Sequence, residues 1–329
     1  MPKSLVTGGA GFIGSHLVDE LLQKGHQVVV LDDLSGGFES NIPNEALFVK
    51  GSILDHHLID ELFEEHQFDY VYHLAAYAAE GLSHFIKRFN YSNNVIGSVN
   101  LINAAVKYEV KCFVFTSSIA VYGAQELPMH EEMTPRPEDS YGIAKWTIEQ
   151  ELRVSHELFG LDYVIFRPHN VYGSRQNIGD RYRNVIGIFM NQLMSGEPLT
   201  IFGDGTQTRA FSHVSDIVPL IAESINIKEA LGQTFDIGAD LQIAVKVLAD
   251  LVMDAMDIRS DIVFAEARNE VLHAYASHNK AKTVLGLEQS MTIREGLREM
   301  AEWAKNEGPQ LSKKFEEIEL EKNLPSSWK

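Results

Sequence analysis

Cysteine is almost missing: Cys112 is the sole thiol in 329 residues. One thiol excludes an internal disulfide and fits a reducing compartment, so cytoplasm is the expected location. Long hydrophobic runs are missing too, and without about eighteen consecutive apolar residues no membrane-spanning helix is expected. The opening stretch "MPKSLVTGGAGFIG" enters a strand-like run at once and lacks the anatomy of a signal peptide. Positive charge is scarce, with 28 Lys and Arg against 46 Asp and Glu and a formal net charge of -18. That balance argues against a nucleic-acid surface, which needs a basic face. Metal ligands at useful spacing are absent: "LDHHL" sets Asp55 beside His56 and His57, but not on one helical face. There is no G-x-S-x-G and no partner for Cys112 that would make it a nucleophile, so neither a metal site nor a nucleophilic hydrolase is expected.

What is present is an ordinary globular composition, 45% hydrophobic and 22% charged, at a length that suggests two domains or one large elaborated one. The first half alternates apolar β-rich runs with helical stretches. "SLVTGG", "QVVVLDDL", "DYVYHLAA", "KCFVFTSS" and "DYVIFRPHN" read as strands; "GSHLVDELLQKG" reads as a helix ending at Gly25. This order predicts an α/β fold: a Rossmann-type, doubly wound parallel sheet. After Phe166 the regularity breaks. The "TFDIG" strand is expected to return to the main sheet, so the two lobes interleave. We expect a Rossmann domain over 1–178 with return segments over about 203–256, and a smaller α/β substrate lobe over 179–202 and 257–329. The charged tail "EGPQLSKKFEEIELEKNLPSSWK" reads as a solvated helix or frayed end.

"VTGGAGFIGSHL" places Gly8, Gly11 and Gly14 in G-x-x-G-x-x-G spacing between the first strand and the first helix. Early glycines allow a tight turn and close approach of a pyrophosphate; the last lets helix pack on strand. The helix N-terminus then offers unpaired N–H groups to phosphate. Eighteen residues past Gly14 stands Asp32, at the end of "VVVLDD", followed by Asp33. An acid there accepts hydrogen bonds from ribose hydroxyls and repels a 2′-phosphate, so NAD is expected over NADP. Ser35 and Gly36 would continue around the ribose, with Ser52 and Ile53 beside the adenine.

"SYGIAKW" sets Tyr141 and Lys145 one helical turn apart, on one face. Taken with "YHLAA", "FTSSIAVYG", "RPHNVYG", "IFGDGTQTRAFSHV" and "RNEVLHAYASHNKA", the chain resembles the extended short-chain dehydrogenase/reductase superfamily, in particular NAD-dependent nucleotide-sugar epimerases of the UDP-glucose 4-epimerase type. The resemblance implies a catalytic set of Ser118, Tyr141 and Lys145. It also implies a dinucleotide site lined further by Phe12, Ile13, Leu74, Ala75, Ala76, Asn93, Thr116, Pro168 and His169. Substrate contacts would come from Asn170, Asn184, Val185, Thr200, Phe202, Gln207, Arg209, Arg268 and Glu270, the arginines suiting a diphosphate through their planar fork. His169 is equally readable as a satisfied loop histidine. The expected chemistry is alcohol oxidation and re-reduction at carbon 4 of a UDP-hexose, with the Lys145 ammonium and the positive charge of oxidised nicotinamide together lowering the Tyr141 pKa so that the phenol takes the proton. Homodimerisation through helices near 92–107 and 141–159 is a further implication.

The departures from the family pattern matter. Ile119 and Ala120 follow Ser118 where dehydratases carry an Asp-Glu pair and decarboxylases an acid. The chain has Arg268, Asn269 and Glu270 where R-P-G-D is usual. The stretch "YAAEGLSHFIKRFNY" puts Glu80, Ser83 and His84 where sugar hydroxyls would be read, as an unusual reader or as a restructured turn. Ala274 falls where a bulkier residue would exclude an N-acetyl group. A decarboxylase or dehydratase of the same superfamily, and a non-catalytic NAD-binding sensor, stay open as rivals.

Overall fold

The computed structural model describes residues 1–267, 271–312 and 314–328. Seven strands form one parallel sheet: β1 (Lys3–Thr7), β2 (Gln27–Asp32), β3 (Leu47–Lys50), β4 (Tyr70–His73), β5 (Cys112–Thr116), β6 (Tyr163–Pro168) and, late in the chain, β11 (Gln233–Ile237). Their spatial order is β11-β6-β5-β4-β1-β2-β3, every pairing parallel. This is the doubly wound sheet the sequence predicts, with "TFDIG" returned to it. Its strand order reverses between β1 and β4, and ligands bind beyond the carboxyl ends of strands at such a switch.

One face of the sheet is covered by α1 (Phe12–Gln23), α8 (Val214–Glu223) and α10 (Asn279–Leu285); the other by α2 (His56–His66), α5 (Gly97–Lys107) and α6 (Ser140–Phe159). Burial on both faces explains the unbroken apolar runs of β2 and β5. Asp55, part of the "LDHHL" stretch, is the N-cap of α2, its carboxylate accepting from the His57 and Leu58 N–H groups.

Between β4 and α5 lie two short helices, α3 (Glu80–Ser83) and α4 (Lys87–Tyr91), and a π-helical turn over Ser92–Ile96. The smaller lobe is built from α7 (Val185–Met194), β8 (Leu199–Phe202), α9 (Val245–Met256), β13 (Ile262–Ala265) and α11 (Ile293–Glu307). Short strands β7 (Val171–Tyr172), β9 (Thr208–Ala210), β10 (Ser212–His213), β12 (Gln242–Ala244) and β14 (His273–Ala274) stitch the lobes together.

Two expectations change here. Residues 242–256 do not belong with the main sheet, because Ile243, Val245, Leu248 and Val252 pack in the smaller lobe's core with Phe189 and Leu297. The charged segment after α11 is not a frayed end. Leu324 and Trp328 are 7% and 4% exposed, and pack with Leu82, Ile86 and Tyr182. Most of its described charged residues are exposed while a sparse set of apolar residues faces inward, a spacing too irregular to show as a helix period.

Candidate active site

A cavity of about 780 Å³ runs from the glycine loop to the smaller lobe. All the sequence-predicted site residues among those described line it except Ser52. Ser52 instead turns its hydroxyl to the Leu54 N–H, shaping the loop that carries the lining Ile53. Arg268 and Glu270 lie outside the described residues.

At the glycine-loop end the backbone geometry demands glycine. Gly8 has φ +73°, a left-handed conformation, and a Cβ on Gly14 would lie 2.1 Å from the Gly8 carbonyl oxygen. The Asp32 carboxylate accepts from Ala10 N at 3.0 Å and Leu34 N at 2.8 Å, and burial pushes its pKa up. It is therefore fixed at the end of β2 and at the cavity wall. Gly37 folds back onto Ala10, where a Cβ would come 2.5 Å from backbone. This bare, left-handed cradle with one fixed acid fits a dinucleotide's phosphates and ribose.

The sequence-predicted catalytic set, Ser118, Tyr141 and Lys145, converges from the end of β5 and from α6. Ser118 follows β5 and begins a single 3-10 turn, its Oγ accepting from Ala120 N at 3.1 Å. Asp139 caps α6 through Gly142 N at 2.8 Å, which starts the helix one residue before Tyr141. Tyr141, Lys145 and Glu149 then succeed one another at four-residue steps along the buried face of α6, at 5%, 2% and 3% exposure. Lys145 Nζ donates to the Thr116 carbonyl at 2.8 Å and lies 5.7 Å from the Tyr141 ring centroid.

The protein's own groups act on the phenol in the opposite direction. Burial, with Glu80 and Asp139 nearby, pushes the Tyr141 phenol above its ordinary value; a hydrogen bond with Ser118 opposes this. Burial also brings Lys145 down to about 7, against the pull of Glu149. Lys145 is thus a partly neutral amine near neutrality, bonded to a carbonyl, and the protein alone does not make the phenol acidic. Behind this set, Glu149 accepts from Ser117 and from Arg167, whose other nitrogen meets the Tyr122 hydroxyl. That buried ion pair is paired on every side and locks the turn carrying Ser118.

The remaining predicted residues divide clearly. Asn170 and Asn184 both adopt positive φ, 44° and 66°, at cavity-lining bends; Asn184 precedes α7 without using its side chain as a cap. Thr200 is fixed by Gln192 and Gln207 by the Phe202 carbonyl. Arg209 donates to the carbonyls of Val271 and Leu272, so it anchors the loop over the cavity as well as lining it. His169 is 2% exposed and its Nε2 meets His278 Nε2 at 2.8 Å, with burial lowering its pKa to about 3. It is both a cavity-wall residue and a satisfied loop histidine. Ser83 is a restructured-turn residue: its Oγ accepts from Tyr141 N and donates to the Glu80 carbonyl, while Glu80 and His84 line the cavity. The sequence reading did not find Tyr77, Tyr182, Arg183 or Trp328. Arg183 sits over the Tyr77 ring at 4.8 Å and pairs with Asp180 at 2.6 Å. An aromatic cluster spread across three distant stretches leaves no local pattern to read.

A family model described as the NAD dependent epimerase/dehydratase family matches residues 4–238. The chain belongs to that family. Among epimerase/dehydratase relatives, a putative UDP-glucose 4-epimerase of Methanocaldococcus jannaschii is 34% identical over 305 residues, spanning 92% of this chain and 98% of its own. A UDP-N-acetyl-alpha-D-glucosaminuronate decarboxylase of Bacillus cytotoxicus is 30% identical over 317 residues, spanning 92% and 97%. The crystal structure of UDP-glucose 4-epimerase from Thermotoga maritima with UDP-glucose superposes with a TM-score of 0.88 at 34% identity, covering 93% of this chain and 99% of that one. The epimerase/dehydratase family accounts for the sheet, the glycine loop and the Ser118–Tyr141–Lys145 set; relatives at similar identity carry the names of different reactions.

Proposed function

We propose that the protein is an NAD-dependent 4-epimerase of a UDP-hexose, with glucose, galactose, N-acetylhexosamine and uronic acid analogues as the candidate sugars. The observation that carries this reading is the wall beside Ser118. Ile119 and Ala120 line the cavity there, and neither can supply the acid that elimination of water would need. A decarboxylase also uses the first oxidation, but the same wall lacks the glutamate expected of it.

When bound, NAD accepts and returns the hydride at carbon 4, and its oxidised, positively charged ring favours the phenolate form of Tyr141. The protein's own groups manage the proton. Tyr141 takes the proton of the sugar's 4-hydroxyl as that carbon becomes a ketone, and gives it back after the sugar has turned over. Ser118, on the same cavity wall as Tyr141, steadies the same oxygen. Lys145, anchored on the Thr116 carbonyl, holds the cofactor ribose and keeps a proton donor near the phenol. Asn170, Asn184 and Arg209 support the diphosphate. Ala274, 8% exposed on β14 and lining the cavity, leaves room for an N-acetyl group.

Exposed Ile96 and Ile143, at 54% and 41%, suit the outward faces of the π-helical turn before α5 and of α6 to a homodimer. Incubation with a panel of UDP-sugars, with products resolved as epimers and weighed, tests the reaction. We expect an epimer of unchanged mass; a product lighter by carbon dioxide or water would replace the reading with one of its rivals.

A further inference from the structure

The segment after α11 crosses from the smaller lobe to the mouth of the cavity by a series of specific contacts. The Gln310 backbone exchanges two hydrogen bonds with the Asn191 side-chain amide of α7 at 2.8 and 2.9 Å, and the Gln310 Oε1 accepts from Gly179 N. Phe315 N donates to the Tyr182 hydroxyl at 2.9 Å, and the Phe315 ring packs on Phe89 and Tyr77 at 5.0 and 5.4 Å. The Glu319 carboxylate accepts from the N–H groups of Arg88 and Phe89 at the start of α4, while the N–H groups of Glu319 and Leu320 reach the Phe85 carbonyl. The segment ends on Trp328, edge-on to Tyr182 at 5.2 Å and to Phe85 at 6.2 Å.

Trp328 both lines the cavity and stands against Gly81, where a Cβ would come within 3.2 Å of its ring. Gly81 and Glu80 belong to α3, the helix whose Ser83 holds the Tyr141 backbone. On the nucleotide-sugar reading, the adenosine end lies at Asp32 and Ile53, and the uracil end at Thr200, Phe202 and Gln207. On the same reading the reacting carbon lies at Ser118 and Tyr141, and Trp328 joins that part of the wall through Gly81 of α3, whose Ser83 holds the Tyr141 backbone.

We propose that Trp328 is a specificity-determining residue, an apolar wall delivered by the strap after α11 against the pyranose ring of a nucleotide-linked sugar. Trp328 is 4% exposed, so it meets the cavity with a narrow, rigid apolar edge; its aromatic neighbours fix that edge at low entropic cost, which suits a shape-reading contact with the C–H surface of a sugar. The inference rests on the nucleotide-sugar reading and adds a residue to it. It also explains why the tail carries buried aromatics in an otherwise charged segment.

Calorimetry on the NAD-loaded protein compares UDP-glucose, UDP-N-acetylglucosamine and UDP for wild type, Trp328→Ala and Trp328→Leu. The leucine variant keeps apolar bulk in the cluster should alanine prevent folding. We expect the tighter UDP-sugar to weaken by about five-fold or more while UDP changes by less than about two-fold and NAD content is constant, the loss expected of an apolar contact to one part of a ligand. Equal weakening of sugar and UDP, an unchanged ratio, or a wild type that holds neither sugar better than UDP would overturn the proposal. If the ratio responds but no UDP-sugar is epimerised, the wall stands and the reaction assignment falls. If a UDP-sugar is epimerised and the ratio does not move, the wall falls alone.

Discussion

The glycine-loop end of the cavity is made of backbone and one fixed carboxylate, whereas the end at Tyr77, Tyr182 and Trp328 is made of side chains drawn from three distant stretches of chain. Gly8, Gly14 and Asp32 sit within one strand–helix–strand unit, and the geometry that needs them is local. Tyr77, Tyr182 and Trp328 meet only because α3, the loop before α7 and the strap are packed together. The first end tolerates little variation at Gly8, Gly14 and Gly37, where a Cβ meets backbone. The second can exchange one apolar contour for another, which is how one fold serves several sugars.

Four measurements sharpen that contrast. The largest effect belongs to the chemistry between the two ends: Tyr141→Phe should lower turnover on the order of 10²–10⁴-fold while UDP-sugar affinity is kept, as steady-state kinetics would show. Unchanged turnover would remove Tyr141 from its role. Next, Gly14→Ala drives a methyl into the Gly8 carbonyl. It should cost roughly 1–3 kcal/mol and most of the bound NAD, read by denaturation and by NAD content of the purified protein. Retained NAD at full stability would show that the cradle can yield.

The third is a pH dependence. Lys145 falls to about 7 in the fold from an ordinary value near 10.5. Between those values the unfolded chain binds the extra proton, so stability rises with pH across that window. Wild type should gain stability relative to Lys145→Met from pH 7 to pH 10 in denaturant titrations; a falling difference would contradict the burial argument. The smallest effect is at the strap, where Glu319→Ala removes the acceptor for two N–H groups of α4. It should cost about 1 kcal/mol and speed amide exchange at Arg88 and Phe89, leaving NAD content unchanged.

The parts of this molecule that were legible in the sequence are those in which geometry and chemistry share a short stretch. The parallel sheet showed in apolar runs, the phosphate cradle in glycine spacing, and the Tyr141–Lys145 pair in a one-turn interval. The placement of β11 back in the sheet was readable from the same apolar signature. Ser52 misled because its loop, not its side chain, forms the wall. Ser83 carries a polar group that serves the backbone of Tyr141, which spacing alone does not distinguish from a group facing sugar. The strap was hidden because Leu324 and Trp328 are isolated among charges, and only tertiary packing reveals that they point inward. The direction of the protein's own effect on Tyr141 was hidden for a similar reason: burial sets it, with Glu80 and Asp139 nearby, and depth of burial is not written in a four-residue interval.

The most direct measurement tracks the hydrogen on the reacting carbon. Whichever UDP-sugar of the panel is turned over is supplied with deuterium at carbon 4, and the products are analysed by mass spectrometry and proton NMR. The account predicts an epimer that keeps the deuterium at carbon 4 at unchanged mass, with no hydrogen taken from solvent there. Loss of the label to water, or a product shortened by carbon dioxide or water, would contradict it.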